Sequence, residues 1–518
     1  MKEEMSLNIH PQNGPKGDGR ELKSLEGWLA RQGGRAGIWF AVYAAMMLVQ
    51  VNGMWWKPAG DQISYLSMAR ELAAHGALLN QGEAHLYHAP GYAFLIVPAF
   101  WFGESLQFFV IQLMQWGWLM VAVWATWRWA RWYVSDAAAL LIAGLAGVNA
   151  NVWLYVHQPL SEVAFWAFVM LSVLALERSR QAKGFWPVAG WVVLSAALVG
   201  YASLIRQVGV LIAGGYGLVV LRDMVKKDVR WWRGVVSVLV VGLTGSAVAV
   251  GFVLYDRAMA GLLGGSQSYA DQLMEGQGLM WQLIEGVHGR VNAAGQLLLP
   301  GLFKTYAERG DWASPIMLLY MPMSCLLLWG WWRFARRERD VFAWMMPFYV
   351  GMYVVWPFTQ NARFFVPVLG VFVMCVWELV KRWRHYRLSV LFMFLLLHLV
   401  AAGGRTINHW GDSAEVNGRW PGFVSLGQPV IEAGDGGAGV KAAQLDLIGA
   451  YDLDKRNYDV MRYVVNRRIV KLARGSEPGM GTKWVYMRAG KDGFDGFRVA
   501  READGLMLLE RVNNPEKE

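Results

Sequence analysis

Asp61-Gln62-Ile63-Ser64-Tyr65 and Tyr87-His88-Ala89-Pro90-Gly91-Tyr92 decide how this chain is read, because both follow on its first long apolar run, near residues 36–54. A carboxylate just past the end of such a run, with aromatic and imidazole side chains after it on the same side, sets polar chemistry at the lip of a membrane. Transporters keep their working charges near the bilayer midplane, on interrupted helices. The placement therefore points to an enzyme working at the membrane surface.

A bilayer-spanning helix needs about 17–25 predominantly apolar residues. Such runs lie near 36–54, 106–127, 137–156, 163–177, 186–205, 208–221, 234–255, 314–332, 341–358, 364–380 and 388–402, which predicts an all-α polytopic membrane protein of about eleven transmembrane helices. The run from Gly91 to Gly103 is too short to cross and carries Pro98, so it reads as a re-entrant or interfacial helix.

Charge fixes the expected orientation. With the N-terminus inside, the inner segments hold Arg128 and Arg131, then Arg178, Arg180 and Lys183, then Arg222, Lys226, Lys227, Arg230 and Arg233. Arg333, Arg336, Arg337 and Arg339 follow, and then Lys381, Arg382, Arg384 and Arg387. Counting the N-terminal residues as well, Lys and Arg favour the inner side by about three to one, which predicts an N-in, C-out protein of a bacterial cytoplasmic membrane.

Residues 1–35 are polar and Gly-rich and read as a loose cytoplasmic tail, 36–402 as the membrane domain, and 403–518 as a small extracytoplasmic α/β domain. In that last part Asp452 to Arg468 has helical periodicity, while Lys483–Met487 and Leu506–Leu509 read as strands. Of the chain's 518 residues 55% are hydrophobic and only 17% are charged, against about 25% in soluble domains. The net charge of +10 is explained by the inner loops, so no nucleic-acid partner is expected. Cys325 and Cys375 both sit in apolar runs and form no disulfide framework.

Four strongly polar positions fall at the outer ends of spans: Asp61 in the first outer loop, Glu162 in the second, Arg206 in the third and Arg363 in the fifth. Two carboxylates and two arginines on one side suggest one composite site. Carboxylates deprotonate hydroxyls or hold metals, and guanidinium forks suit phosphates.

In these features the chain resembles the GT-C glycosyltransferases, the superfamily that includes the protein O-mannosyltransferases and the aminoarabinose transferase acting on lipid A. The resemblance rests on order and sidedness: Asp61 and Tyr65 opening the first outer loop, and His88-Ala89-Pro90-Gly91-Tyr92 entering an apolar half-helix. It continues with Glu162 before the fourth span, Arg206 after the fifth, and Arg363-Phe364-Phe365-Val366-Pro367. It implies an inverting transfer of a sugar from a polyprenyl-phosphate donor to an unknown acceptor, which is a glycan, lipid or protein. Asp61 and Glu162 would be catalytic, Arg206, Arg363 and His88 would hold the donor phosphate, and Tyr65, Tyr87, Tyr92 and His157 would line the substrate. Where relatives carry Lys-Pro-Pro this chain has His88-Ala89-Pro90, and the first loop lacks their Asp-x-Asp pair. A divalent metal, with Asp61 and Glu162 as its ligands, is left open.

Simpler readings stand beside these. Asp61 and Glu162 can cap the helices they precede, Arg206 and Arg363 can snorkel to the interface, and Asp452-Leu453-Asp454 suits a helix N-terminus. In the loop 256–313, Met280, Trp281, Ile284 and Val287 predict an interfacial helix lying on lipid or over the donor. The alternative functions are a surface-polysaccharide polymerase or ligase, and a lipid or glycan transporter.

Overall fold

The computed structural model describes residues 25–53, 61–80, 88–226, 231–263, 279–299, 317–338, 340–355, 361–434, 447–451, 469–471, 482–488, 497–503 and 506–511. Tyr87 and the helix expected over 452–468 lie outside the described residues.

The chain is mostly helical. In order, the helices are α1 (Leu25–Gln32), α2 (Ala36–Leu48), α3 (Asp61–His75), α4 (Gly91–Ile96), α5 (Glu104–Ala130), α6 (Asp136–Gly147), α7 (Ser161–Gln181) and α8 (Phe185–Ile205). They continue with α9 (Leu211–Val225), α10 (Trp231–Leu263), α11 (Leu279–Leu298), α12 (Met317–Arg337), α13 (Val341–Val355), α14 (Leu369–Val380) and α15 (Arg387–Gly434). Among the described residues six helical stretches are long and apolar enough to cross a bilayer: Leu106–Ala130, Phe185–Ile205, Gln207–Val225, Trp231–Tyr255, Ala362–Val380 and Arg387–Asn408. Many of their large apolar side chains, Leu221, Leu243 and Val400 among them, remain exposed on the protein surface, as lipid-facing residues do.

Local sequence explains where helices stop and turn. Ser135 caps α6 by accepting from the Ala138 amide, and Gly184, at φ +90°, allows the tight reversal between α7 and α8. Gly91–Gly103 folds as α4 followed by a 3-10 turn over Val97–Trp101 with Pro98 at its start, far too short to cross a membrane.

Two expectations change. The stretch expected to be a loose tail is helical from Leu25, because Glu26 accepts from the backbone amides of Leu388 and Ser389 at the start of α15, where a carboxylate is favoured. The ionisable groups at the ends of α7, α9 and α13 are also more than chain-end charges. Arg180 bonds both Glu177 (2.5 Å) and Asp223 (2.8 Å), and Asp340 accepts from the Trp129 indole and the Tyr133 hydroxyl, each at 2.7 Å. Glu177, Asp223 and Asp340 are all buried, so pairing and hydrogen bonding must offset the loss of water around each charge.

Beyond α15, which runs unbroken through residue 402, five strands form one sheet: β1 (Leu447–Tyr451), β2 (Ile469–Lys471), β3 (Thr482–Arg488), β4 (Phe497–Ala503) and β5 (Leu506–Arg511). Their order is β2-β1-β3-β5-β4, with β1 parallel to β2 and β3, and β5 antiparallel to β3 and β4. Val485 pairs with Leu509 and Met487 with Met507, and all four are buried on one face of the sheet.

Candidate active site

The site forms where helix ends from distant parts of the chain meet. Asp61 begins α3, Glu162 lies in the first turn of α7, Arg206 directly follows α8, and Arg363 belongs to the 3-10 segment Asn361–Val368 that leads into α14. All four touch. Arg206 Nη1 donates to Glu162 Oε1 at 2.6 Å and to Ser161 Oγ at 3.2 Å. Arg363 Nε donates to the same Glu162 oxygen, and its Nη2 lies 2.7 Å from Asp61 Oδ2. Arg363 thus bridges the two carboxylates. His88 Nε2 is 3.5 Å from Asp61 Oδ1, and the Tyr65 hydroxyl donates to Ser161 Oγ at 3.1 Å.

Glycine contact brings these ends so close. A Cβ on Gly91 would lie 2.6 Å from the Ile205 nitrogen, so α4 reaches the end of α8 only because residue 91 has no side chain. The Tyr201 hydroxyl then donates to the Gly91 carbonyl at 3.1 Å, fixing α4 to the helix that delivers Arg206.

Asp61, Tyr65, His88, Arg206, Tyr353 and Phe364 line a cavity of about 310 Å³, whose remaining wall is mainly apolar: Val208, Val210, Leu211, Ala249 and Met352. Glu162 does not line it and is fully buried behind the arginines. Tyr92 is buried too and packs edge-on against Tyr65, while the Tyr65 and His88 rings lie 5.3 Å apart. His157 is held elsewhere: the Trp410 indole donates to its Nε2, and its Nδ1 meets the Gln112 amide, each at 3.2 Å.

Burial alone would raise the pKa of Asp61, but His88 when protonated and the Arg363 and Arg206 guanidiniums outweigh it and hold the carboxyl below its ordinary range. Burial pushes His88 down, and it pushes His157 down to about 4. Asp61 is therefore ionised and both imidazoles neutral near pH 7. Burial also pushes the Tyr65 phenol up to about 12, so it stays a hydrogen-bond donor.

Among the described residues no three His, Cys, Asp or Glu side chains gather as metal ligands. Asp61 and Glu162 do not fit a bridging divalent ion as they stand. The Arg363 guanidinium occupies the position between them, and a cation there would face that charge directly.

The helix α11, within the predicted loop 256–313, contributes a residue with no marked signal in the sequence. Arg290 on α11 is buried, with its guanidinium carbon 5.7 Å from the Tyr353 ring centroid and 5.4 Å from that of Phe364. Those two rings stack at 4.2 Å, and Arg206 lies 5.4 Å from Phe364 as well. On the same helix Ile284 and Val287 are exposed, as the predicted interfacial face requires, while the side chains of Met280 and Trp281 lie outside the described residues.

Solved structures share this architecture. ArnT from Cupriavidus metallidurans bound to undecaprenyl phosphate matches with a TM-score of 0.51 at 12% identity, over 95% of this chain and 99% of that one. The apo state of the same protein matches at 0.53 and 13%, over 92% and 98%. This chain has the GT-C fold. The Archaeoglobus fulgidus oligosaccharyltransferase in complex with Zn and sulfate, another GT-C protein, matches at 0.53 and 14% over 87% of this chain and 67% of its own. No protein-family model and no curated protein sequence matches the chain.

Proposed function

We propose that this chain is an inverting membrane glycosyltransferase, moving a sugar from a polyprenyl-phosphate donor to a glycan, lipid or protein acceptor on the outer face of a bacterial cytoplasmic membrane. The observation that carries the reading is Asp61, ionised in the wall of a cavity that Arg206 and a set of apolar side chains also line. The GT-C fold supports it, since proteins of that fold have been solved with undecaprenyl phosphate and with a dolichol-phosphate bound.

In this mechanism Asp61 accepts the proton of the acceptor group as that group attacks the anomeric carbon from the face opposite the phosphate. The bond from the anomeric carbon to the phosphate oxygen breaks, and its electron pair leaves with the lipid phosphate. Charge grows on the departing oxygens, so a guanidinium already oriented there favours the transition state over the bound donor. Arg206 supplies that charge, and Glu162 acts behind it as an orienting carboxylate. The fold's contacts support the sidedness: outer-loop residues meet at this site, while the Arg180–Glu177–Asp223 cluster joins the ends predicted to be cytoplasmic. About eleven spans, a membrane domain over 36–402 and an extracytoplasmic domain over 403–518 complete the proposal.

The test uses purified wild type and Asp61→Asn in detergent with a panel of polyprenyl-phosphate sugars, following free lipid phosphate. Turnover by wild type that falls about 100-fold or more in the variant supports the assignment. Equal turnover in both removes Asp61 from the chemistry, and silence of wild type toward every donor favours the transporter or polymerase alternative.

A further inference from the structure

The segment between α6 and α7, residues 148–160, delivers Ser161 and Glu162 to the site yet contains only one short 3-10 turn, Trp153–Val156. Its backbone is held by side chains instead. Gln115 Nε2, on α5, reaches the carbonyls of Tyr155 (3.1 Å), Gln158 (2.6 Å) and Leu160 (3.0 Å). Arg405, on α15, donates to the Ala150 carbonyl at 3.0 Å and to Asn151 Oδ1 at 2.7 Å. Asn149 donates to the Leu297 carbonyl at the end of α11.

His157 lies at the crossing of these ties: the Trp410 indole of α15 donates to its Nε2, and the Gln112 side-chain amide of α5 packs 3.2 Å from its Nδ1. The Gln112 side-chain oxygen accepts in turn from the amides of Asn52 (3.0 Å) and Gly53 (2.8 Å), on the stretch that leads towards Asp61. One continuous set of polar contacts therefore runs from α15 to the approaches of both site carboxylates. Gln112, Gln115, Asn149 and His157 are all buried, and buried amides and imidazoles are costly unless bonded. Apolar side chains would fill the same space without that requirement, so the polar set is explained by what it holds in place.

We propose that His157, Gln112 and Trp410 are positioning residues of the candidate active site, through which α15, the helix leading to the C-terminal sheet, sets where Glu162 holds Arg206 and Arg363. The inference rests on the transferase reading and assigns a regulatory link to the same site. Strand β4 packs against α15, so an acceptor or partner engaging the sheet bears on the helix that carries Trp410. None of the three residues touches the reacting atoms. Their effect is geometric, and a displacement of about 1 Å at a reacting centre costs up to about 100-fold in rate.

The experiment compares full-length wild type with Trp410→Phe, which keeps an aromatic ring and loses the indole N–H, and with His157→Asn. Three quantities are read: kcat and donor KM by lipid-phosphate release, amide hydrogen exchange over 149–162, and the thermal midpoint. The expected result is kcat lower by about 10- to 100-fold with donor KM unchanged, and faster exchange confined to 149–162. Unchanged exchange in Trp410→Phe overturns the link whatever the turnover. Faster exchange with wild-type kcat overturns the positioning role. A drop in the midpoint with exchange rising across all helices, and equally altered kcat and KM, shows a merely structural contact and also overturns it. If wild type turns over no donor, the transferase reading fails and takes the catalytic assignment with it, while the exchange result still decides whether α15 holds the segment.

Discussion

Glu162 lies 2.6 Å from Arg206, fully buried behind a guanidinium that faces the cavity. The relationship separates two carboxylates that look alike in the sequence: Glu162 is buried against the arginines, while Asp61 lines the cavity. Removing one partner of a buried ion pair typically costs about 3–5 kcal/mol because the other charge is left uncompensated. Glu162→Gln leaves Arg206 without its carboxylate, while Arg363 keeps Asp61, and is expected to lower thermal stability by an amount of that order, as well as activity. Thermal unfolding of variant and wild type in the same detergent checks it.

Arg206→Gln is expected to weaken binding of a polyprenyl phosphate, because the cavity loses its charged lining at the apolar–polar junction. Arg206→Lys keeps a positive charge but loses the planar guanidinium whose Nη1 holds Ser161 and Glu162 while its other N–H groups can point elsewhere, so it recovers only part of the affinity. Equilibrium binding of the lipid phosphate, measured at two salt concentrations, distinguishes lost charge from lost geometry.

Acid should destabilise the fold through His157. Its folded value, pushed down to about 4 by burial, lies below the ordinary 6.5. A group of this kind contributes stability fully present above pH 6.5 and lost as pH falls towards 4, worth about 3 kcal/mol at most. His88, depressed in the same direction, adds to the slope. Asp61, held low, contributes stability that is fully present above the ordinary carboxyl value of about 3.9 and lost at more acid pH as the carboxyl protonates. His157→Asn should flatten the dependence of the thermal midpoint on pH between about 6.5 and 4.

Gly91→Ala tests the close approach of α4 to α8. A methyl group there meets the Ile205 nitrogen and the Leu204 carbonyl carbon at 2.6 Å, and both are backbone atoms that cannot swing aside. Overpacking of this kind costs about 1–3 kcal/mol. The displaced helix end carries Arg206, so turnover is expected to fall with stability. A neighbouring change at Gly103, where an added Cβ meets nothing within 4 Å, should be tolerated.

Much of the site was legible because its members stand out locally. Asp61, Glu162, Arg206 and Arg363 are charges at the ends of apolar runs on the sparsely charged side, and the fold brings all four into contact. Their division of labour was not legible, since exposure to the cavity depends on neighbours far away in sequence. His157 reads as a substrate residue by its place before Glu162, yet Trp410, 253 residues on, takes one of its nitrogens. Arg290 was hidden among the residues of a long outer loop, with no signal that Tyr353 and Phe364 would stack beside it. A usable signal did exist for the positioning set: Gln112 and Gln115 are polar residues one turn apart on an apolar helix, where an unbonded amide is costly.

Sequence alone determined which segments are apolar, which of their ends carry charge, and two of the strands after residue 481, β3 and β5, but neither β4 nor the run of α15 past residue 402. Those properties follow from each segment's own exchange with water or lipid, which hydropathy and charge record residue by residue. Tertiary structure alone decided that one Glu162 oxygen serves two arginines, that Arg363 bridges the carboxylates, and that α15 reaches the segment before Glu162. Pairing of this kind is set by the order in which helices pack around one another, through many small contacts and a few glycines that let backbones meet. No single segment encodes that order.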